Sequence, residues 1–354
     1  MTHLQQLMSG LESICDCALI NDTVNRRYFT GMKSSDGTLV VFKDKAYLII
    51  DFRYIEKARK TAEDCEVILQ DRLYHQINEL IKKHEANTVC VNTEFCTVEQ
   101  FTMFKQALKA SVSADNSLTK LIRSIRMIKT QQEIDLMIKA QRIAEKGYEH
   151  ILGIIRTGMS EREVQLELDH FMLKNGAEEL SFDTIALCGK NTSLPHGVPS
   201  DKPIEKGEFV LLDFGAVVEG YHSDMTRTFC MGEPTDIMRQ VYDIVLQAQL
   251  SALSAVKAGM TGKDLDAAAR DIIAENGFGK NFGHSLGHGV GMEIHEMPYA
   301  SPNKDNILKE NSIVTVEPGI YLENEFGVRI EDFVVVKNDG CINMTKAPKE
   351  LIIV

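Results

Sequence analysis

Residues Glu208–Gly232, EFVLLDFGAVVEGYHSDMTRTFCMG, set a carboxylate in the middle of an apolar, β-prone run. Phe209, Val210, Leu211 and Leu212 lead into Asp213, and a second, more polar run after a turn around Glu219–Gly220 carries Asp224. Two such runs with a short turn between them read as a β-hairpin. With the turn midpoint between Val218 and Glu219, Asp213 and Asp224 are expected opposite each other on adjacent strands. A carboxylate in a buried strand costs several kcal/mol unless it is paired or bound to a metal. A chain that forms this hairpin must therefore also bring a partner to it. An N-cap Asp and an ion-paired Asp would be the ordinary solution; the downstream sequence points to a different one.

The design recurs near the C-terminus, in SIVTVEPGIYLENEFGVRIEDFVVV. Ile313 to Val316 is an apolar strand ending at Glu317-Pro318-Gly319, Asn324 to Gly327 is a turn, and Val328 to Val336 returns with Glu331. Period-two alternation puts Arg329 and Glu331 on one face and Asp332 on the other. Between the hairpins, FGHSLGHGVGMEIHE holds His284 and His288 among Gly283, Gly287, Gly289 and Gly291, with His295 following. Glycines there permit positive φ and close backbone approach. Four carboxylates and one imidazole suit two hard or borderline divalent cations sharing one site. Four negative charges balance two such ions, and the pair activates water and polarises a carbonyl, the chemistry of metal-assisted hydrolysis.

The chain is 354 residues long, enough for two domains. The first 118 residues alternate strand and helix: a helix over 4–14, strands at TLVVFKD and AYLIID, a helix over 53–62, the strand CEVILQ, a helix over 72–84, the strand TVCVNTE and a helix over 97–109. That pattern predicts a mixed-sheet α/β domain. His75 and His84 are isolated and read as structural. The boundary falls within 119–130, giving domains of 1–125 and 126–354. Thr130–Glu133 and Ser160–Glu163 both fit the S/T-x-x-E capping box, so helices begin there. From Asn175-Gly176 to Phe209 the sequence reads as β-rich, and two more helices are expected over 236–257 and 261–275. The second domain is therefore α+β, and its paired hairpins and helices hint at an internal duplication.

A net charge of −12 argues against a nucleic-acid binder that works through a basic surface, and no apolar run reaches the length of a membrane span. The N-terminus resembles no signal peptide. Eight scattered cysteines without a C-x-x-C pair read as reduced thiols of a cytoplasmic protein.

The blocks LPHG (194–197), LLDFGA (211–216), SDMTRTF (223–229), GHGVG (287–291), VEPGIY (316–321) and RIED (329–332) resemble the metallopeptidases of the pita-bread fold, in their aminopeptidase P/prolidase branch. DFRYIEKA (51–58) resembles that branch's creatinase-type N-terminal domain. The resemblance implies a pita-bread catalytic domain behind an α/β creatinase-type domain, two divalent ions (Mn²⁺ first, Co²⁺ or Zn²⁺ otherwise), and hydrolysis of Xaa-Pro bonds at peptide N-termini, in a homodimer. Asp213 would bind one ion, His288 and Glu317 the other, and Asp224 and Glu331 would bridge both. His196 and His295 would flank the substrate carbonyl, Arg329 would support the ligands, His284 would relay protons, Glu317 would double as general acid/base, and Tyr321 would line the proline pocket.

Other readings compete. Gly283-His284-Ser285-Leu286-Gly287 matches G-x-S-x-G, but no apolar strand precedes it and no histidine follows His295 to complete a triad. GHGVG lacks the dinucleotide-binding spacing. A non-catalytic binding member of the fold usually loses ligands, and a methionine aminopeptidase usually lacks the N-terminal domain and the His196/Arg329 pattern. A strict Xaa-Pro dipeptidase needs a cation for the proline carboxylate. Between Glu296 and Val316 only Lys304 and Lys309 offer one, with Arg53 of the N-terminal domain as an outside candidate.

Overall fold

The computed structural model describes residues 1–354. The chain divides into two units, Met1–Arg126 and Met127–Val354.

In the first unit a six-stranded sheet runs β4-β3-β2-β1-β5-β6, from β1 (Cys17–Ile20), β2 (Thr38–Phe42), β3 (Ala46–Ile50), β4 (Glu66–Leu69), β5 (Thr88–Val91) and β6 (Ser111–Ser113). β1–β2 and β2–β3 are antiparallel, and the outer pairings are parallel. Its helices are α1 (His3–Gly10), α2 (Thr23–Thr30), α3 (Ile55–Thr61), α4 (Leu73–Lys83), α5 (Val98–Ala107) and α6 (Ser117–Met127). Apolar pattern alone predicts neither α2 nor β6. α2 buries Asn25 and Arg26 together with Tyr28 and Phe29. It is fixed by an Asp22 cap and by the Arg26 guanidinium donating to the carbonyls of Asn21 and Ser34, contacts between segments that periodicity does not register.

The second unit opens with α7 (Gln131–Ile154) and α8 (Glu161–Lys174), and the capping boxes at Thr130 and Ser160 both form. There follow β7 (Glu179–Leu180), β8 (Ile185–Cys188), β9 (Phe209–Phe214), β10 (Ala216–Val218), β11 (Tyr221–His222) and β12 (Met225–Cys230). After α9 (Asp236–Ala255) and α10 (Gly262–Glu275) come β13 (Gly287–Gly289), β14 (Glu296–Ala300), β15 (Ile313–Val316), β16 (Gly319–Leu322), β17 (Phe326–Arg329), β18 (Asp332–Lys337) and β19 (Gly340–Asn343). The strands form small antiparallel sheets, among them β12-β9-β8 and β15-β18-β19. Ala144, Tyr148, Val164 and Leu168 of α7 and α8 pack on Val210, Leu212 and Phe214 of β9. Val241, Val245, Leu265 and Ala269 of α9 and α10 pack on Val314, Val316, Val334 and Val336 of β15 and β18. Each helix pair thus covers one face of one sheet, and alternation sends the residues between those positions to the other face.

The region 181–208 is not β-rich. β8 is followed by a 3-10 turn at Gly189–Ser193 and then by irregular backbone as far as β9. Pro195, Pro199 and Pro203 fall in that stretch, and a proline has no N–H for a ladder.

Both carboxylate hairpins are longer than expected and broken in the middle. In the first, the β10–β11 tip turns at Glu219 and Gly220, both at positive φ (51° and 87°), a two-residue primed turn. The β9–β12 register then pairs Asp213 with Thr226, not with Asp224. The midpoint lies one residue further on than expected, which moves every partner by two. Because the side-chain period is also two, Asp213 and Asp224 remain on one face. In the second hairpin the turn lies at Glu323–Glu325 rather than Asn324–Gly327, with Asn324 at φ 61°. β16 pairs with β17 and β15 with β18 in one continuing register, Gly319 opposite Arg329 and Val316 opposite Asp332. Continued across the break, that register sets Glu317 opposite Glu331.

Candidate metal centre and active site

The face of β9 and β12 turned away from α7 and α8 carries Asp213, Thr226 and Thr228; the corresponding face of the second hairpin carries Thr315, Glu317, Arg329 and Glu331. At the break in the second hairpin its return strand bonds to β12 of the first, whereas the break in the first is closed within that hairpin, the Ser223 amide donating to the Ala216 carbonyl at 2.9 Å. The Glu331 amide donates to the Thr226 carbonyl at 3.1 Å, and the Thr226 hydroxyl donates to Glu331 Oε2 at 2.7 Å. The Thr228 hydroxyl donates to the Arg329 carbonyl at 3.0 Å and accepts from its amide at 3.3 Å. The Arg329 guanidinium uses four of its five N–H donors: to Asp213 Oδ2 at 2.6 Å, Thr226 at 3.0 Å, the Tyr321 hydroxyl at 2.8 Å and the Pro195 carbonyl at 3.4 Å.

β13 brings His288 into this face. None of the four nearby glycines has positive φ; Gly287, Gly289 and Gly291 serve close packing, while Gly283 has open space around it. A Cβ on Gly287 would lie 2.0 Å from the Thr315 carbonyl oxygen, so only glycine lets β13 settle against β15. The His288 amide donates to the Thr315 hydroxyl at 3.0 Å, and that hydroxyl donates to Glu317 Oε1 at 3.1 Å. His288 Nδ1 donates to the Gly289 carbonyl at 3.1 Å. Its Nε2 is thereby aimed at Glu317 Oε1 (3.3 Å) and Asp224 Oδ2 (3.7 Å), the tautomer a metal-ligating histidine needs. Asp224, His288 and Glu331 each bring a ligand atom to within 4.8 Å of the others. Asp213 keeps Oδ1 buried without a hydrogen-bond partner while Arg329 holds Oδ2.

The electrostatics bear out the strain of this grouping. Burial, then the neighbouring carboxylates, push Asp224 and Glu331 well above the usual carboxylate range. Burial also raises Asp213 against the pull of Arg329. Burial acts the same way on Glu317, but its hydrogen bond and charge pairing with His288, aided by His284 and Arg329, outweigh it and hold the group at about 2. His288 rises to about 9, since Glu317 and Asp224 outweigh the opposing effect of burial. An imidazole and four carboxyls, with an orphaned buried oxygen among them, fit divalent cations by donor type and by charge.

These residues line a cavity of about 560 Å³, walled also by Phe182, Asp183, Ile185, Pro195, His196, Ile294, His295 and Tyr299. His196 and His295 are exposed to it, and the His295 ring lies 4.3 Å from that of His288, edge to face. His284 also lines it. Its Nδ1 donates to the Ser285 carbonyl at 2.8 Å and its Nε2 accepts from the Tyr321 hydroxyl at 3.0 Å, and burial lowers its basicity. Tyr321, expected in the proline pocket, is absent from the wall. Its hydroxyl is consumed between Arg329 and His284, and burial pushes it up to about 12. Phe182 and Tyr299 supply the aromatic surface instead. Ser285 lies outside any strand–helix elbow, consistent with its dismissal as a nucleophile.

Sequence reasoning missed the threonines and the pair Arg227–Asp332. Arg227, on the helix-facing side of β12, donates to the Glu331 carbonyl and to Asp332 Oδ1 (2.7 Å). TRT beside a ligand strand and RIED beside another were the available signals. None of the eight cysteines is in a disulfide, and no helix is long and apolar enough to cross a membrane.

Residues 135–338 match the model of metallopeptidase family M24, and residues 1–128 that of the creatinase/prolidase N-terminal domain. An Xaa-Pro dipeptidase of Pyrococcus furiosus is 40% identical over 99% of both chains. The structure of an Xaa-Pro dipeptidase from Bacillus anthracis superimposes with a TM-score of 0.96, at 41% identity over 99% of both chains. That of an X-Pro aminopeptidase from Thermotoga maritima gives a TM-score of 0.91 at 37% identity, covering 96% of this chain and 98% of the other.

Proposed function

Since the chain belongs to metallopeptidase family M24, with a creatinase/prolidase N-terminal domain and a pita-bread catalytic domain, we propose that it hydrolyses Xaa-Pro peptide bonds at the N-termini of short peptides. The observation that carries this reading is the convergence of Asp213, Asp224, His288, Glu317 and Glu331 on one buried face at the floor of a cavity walled by His196 and His295. These five would hold two divalent ions, Mn²⁺ first and Co²⁺ or Zn²⁺ otherwise. When bound, the ions supply an activated water and a polarised carbonyl.

The chain's own groups account for the rest. Thr315 and Thr226 orient the Glu317 and Glu331 carboxylates, and Arg329 keeps Asp213 turned inward. Glu317 takes the proton of the attacking water and passes it to the proline nitrogen as the C–N bond breaks. His196 and His295 donate hydrogen bonds to the carbonyl oxygen as it gains charge. The chain Arg329–Tyr321–His284 fixes the tautomer of His284 at the cavity wall and readies it for proton relay.

The relatives named as dipeptidases favour the dipeptidase form of this activity over an aminopeptidase. That form needs a cation for the proline carboxylate, and Arg329, the arginine on the wall, is committed elsewhere. Lys304 supports the role best: its Nζ lies 5.7 Å from the centroid of the Tyr299 ring, which belongs to the wall. Arg53 is paired with Asp51 at 2.5 Å and Asp36 at 3.6 Å.

A product assay with Ala-Pro, Ala-Pro-Ala and Met-Ala-Ser on Mn²⁺-loaded protein tests the reading. Proline released from Ala-Pro alone makes the protein a dipeptidase; cleavage of the tripeptide makes it an aminopeptidase. Methionine release alone, or no turnover at verified metal content, overturns the proposal.

A further inference from the structure

Segment 189–200, which carries Pro195 and His196 to the cavity, contains no strand after the turn at Gly189–Ser193. A loop of that length without ladder bonds would not hold a side chain to the tolerance that catalysis demands. One carboxylate bonds to both of its ends. Glu161, the first residue of α8, is only 1% exposed. Its Oε1 accepts from the Cys188 amide at 2.8 Å and from Asn191 Nδ2 at 3.0 Å. Its Oε2 accepts from Asn191 Nδ2 at 3.2 Å, the Ser200 amide at 2.9 Å and the Ser200 hydroxyl at 2.6 Å.

These bonds grip both ends of the segment at one point. Every partner is a donor, and a carboxylate is acceptor-only, so the match is complete. The position at the start of α8 adds the favourable field of the helix N-terminus. The helix backbone reinforces the grip, since the Arg162 amide donates to the Ser200 carbonyl at 3.0 Å and the Glu161 amide to that of Lys202 at 3.1 Å. The middle of the segment is tied to the site itself. The Gly327 amide donates to the Thr192 hydroxyl at 2.8 Å, and Arg329 to the Pro195 carbonyl at 3.4 Å. Without the Glu161 carboxylate the two ends would lose their common anchor and keep only the backbone bonds to α8 and these central ties.

We infer that Glu161 is a positioning residue for the reaction, a clamp that sets the location of His196 over the cavity without touching substrate or metal. This role rests on the function proposed above, because it acts through His196.

The test has two arms. In the first, Glu161→Gln lowers kcat/KM for Ala-Pro about ten- to a hundredfold, with metal content unchanged. In the His196→Ala background the same substitution changes kcat/KM less than twofold. A merely structural role would instead lower the rate by the same factor in both backgrounds, and that result overturns the inference, as does a wild-type rate in Glu161→Gln. In the second arm, which needs no turnover, trypsin cleaves after the exposed Lys190 at least tenfold faster in Glu161→Gln than in the parent; equal rates overturn the clamp. If Glu161→Gln does not fold, the double variant Asn191→Ala/Ser200→Ala cuts three of the five bonds with the carboxylate in place, and the same outcomes apply. A parent enzyme inactive on every Xaa-Pro peptide sinks the proposed function, while the proteolysis arm still judges the clamp.

Discussion

Glu317 differs from the other carboxyls of the site in being held at about 2 by His288 while Asp224 and Glu331 are pushed upward. It is ionised at neutral pH and so available to accept a proton from water, and when a cation displaces the proton of His288 this depression is relieved. Glu317→Gln should lower kcat by about 10²–10⁴-fold, the range for loss of a general acid–base group, with the fold intact by circular dichroism. Near-normal turnover at full metal loading would remove Glu317 from the mechanism. Lys304 permits a second prediction. If it reads the proline carboxylate, Lys304→Met should raise KM for Ala-Pro about tenfold, the equivalent of ~1.4 kcal/mol, and leave Ala-Pro-Ala unchanged. Equal effects on both peptides, measured by steady-state kinetics, would assign it no role in reading chain length.

The second carboxylate hairpin is broken at Glu331, where Thr226 of the first takes up its hydrogen bonds. Arg227 works on the hidden side of that junction, holding the Glu331 carbonyl and Asp332 at once, with Lys349, Gln249 and Asn343 completing the shell of Asp332. Removing Arg227 leaves Asp332 paired with Lys349 alone and the Glu331, Ala347 and Pro348 carbonyls without their donor, at a cost of about 3 kcal/mol. Arg227→Met should therefore lower the melting temperature by about 6–12 °C, given roughly 2–4 °C per kcal/mol for a unit of this size. Differential scanning calorimetry would reveal the loss, and a shift below 2 °C would mean that the pair contributes nothing. Burial raises the Asp332 carboxyl, but Arg227 and Lys349 outweigh that and hold it below the ordinary value of an aspartate. Its contribution to stability is thus complete above that value and is lost as pH falls through the lower folded value. Acid unfolding of Asp332→Asn should lack this component.

For the molecule as a whole, metal binding, protonation and stability are one equilibrium. A cation entering the proposed site would displace the proton of His288, raised to about 9. Apparent Mn²⁺ affinity should therefore rise with pH between about 6 and 9, with protons released on binding. Calorimetric titrations in buffers of different ionisation enthalpy would measure both; pH-independent affinity would contradict the assigned ligands. A ligand held at a hundred times its Kd stabilises the native state by about 2.7 kcal/mol. Chelation should accordingly lower the melting temperature by several degrees as well as abolish activity, and added Mn²⁺ should restore both.

Much of this was legible from the chain alone. Asp213, Asp224, Glu317 and Glu331 stand out because a carboxylate inside an apolar β-run is anomalous wherever the strand leads, and parity guarantees that a register error of two residues leaves them on one face. The capping boxes at Thr130 and Ser160 are local, and each formed where its residues lie. What the chain could not disclose was which long-range bonds replace regular structure. The second hairpin is broken at Glu331 because Thr226, 105 residues away, bonds to it. Tyr321 left the wall because Arg329 and His284 claim its hydroxyl. The 189–200 segment is held by Glu161 rather than by a ladder. Residue type and period determine which side chains share a face. Only the tertiary structure determines which buried donor meets which acceptor, since that choice depends on segments distant in sequence arriving at the same place.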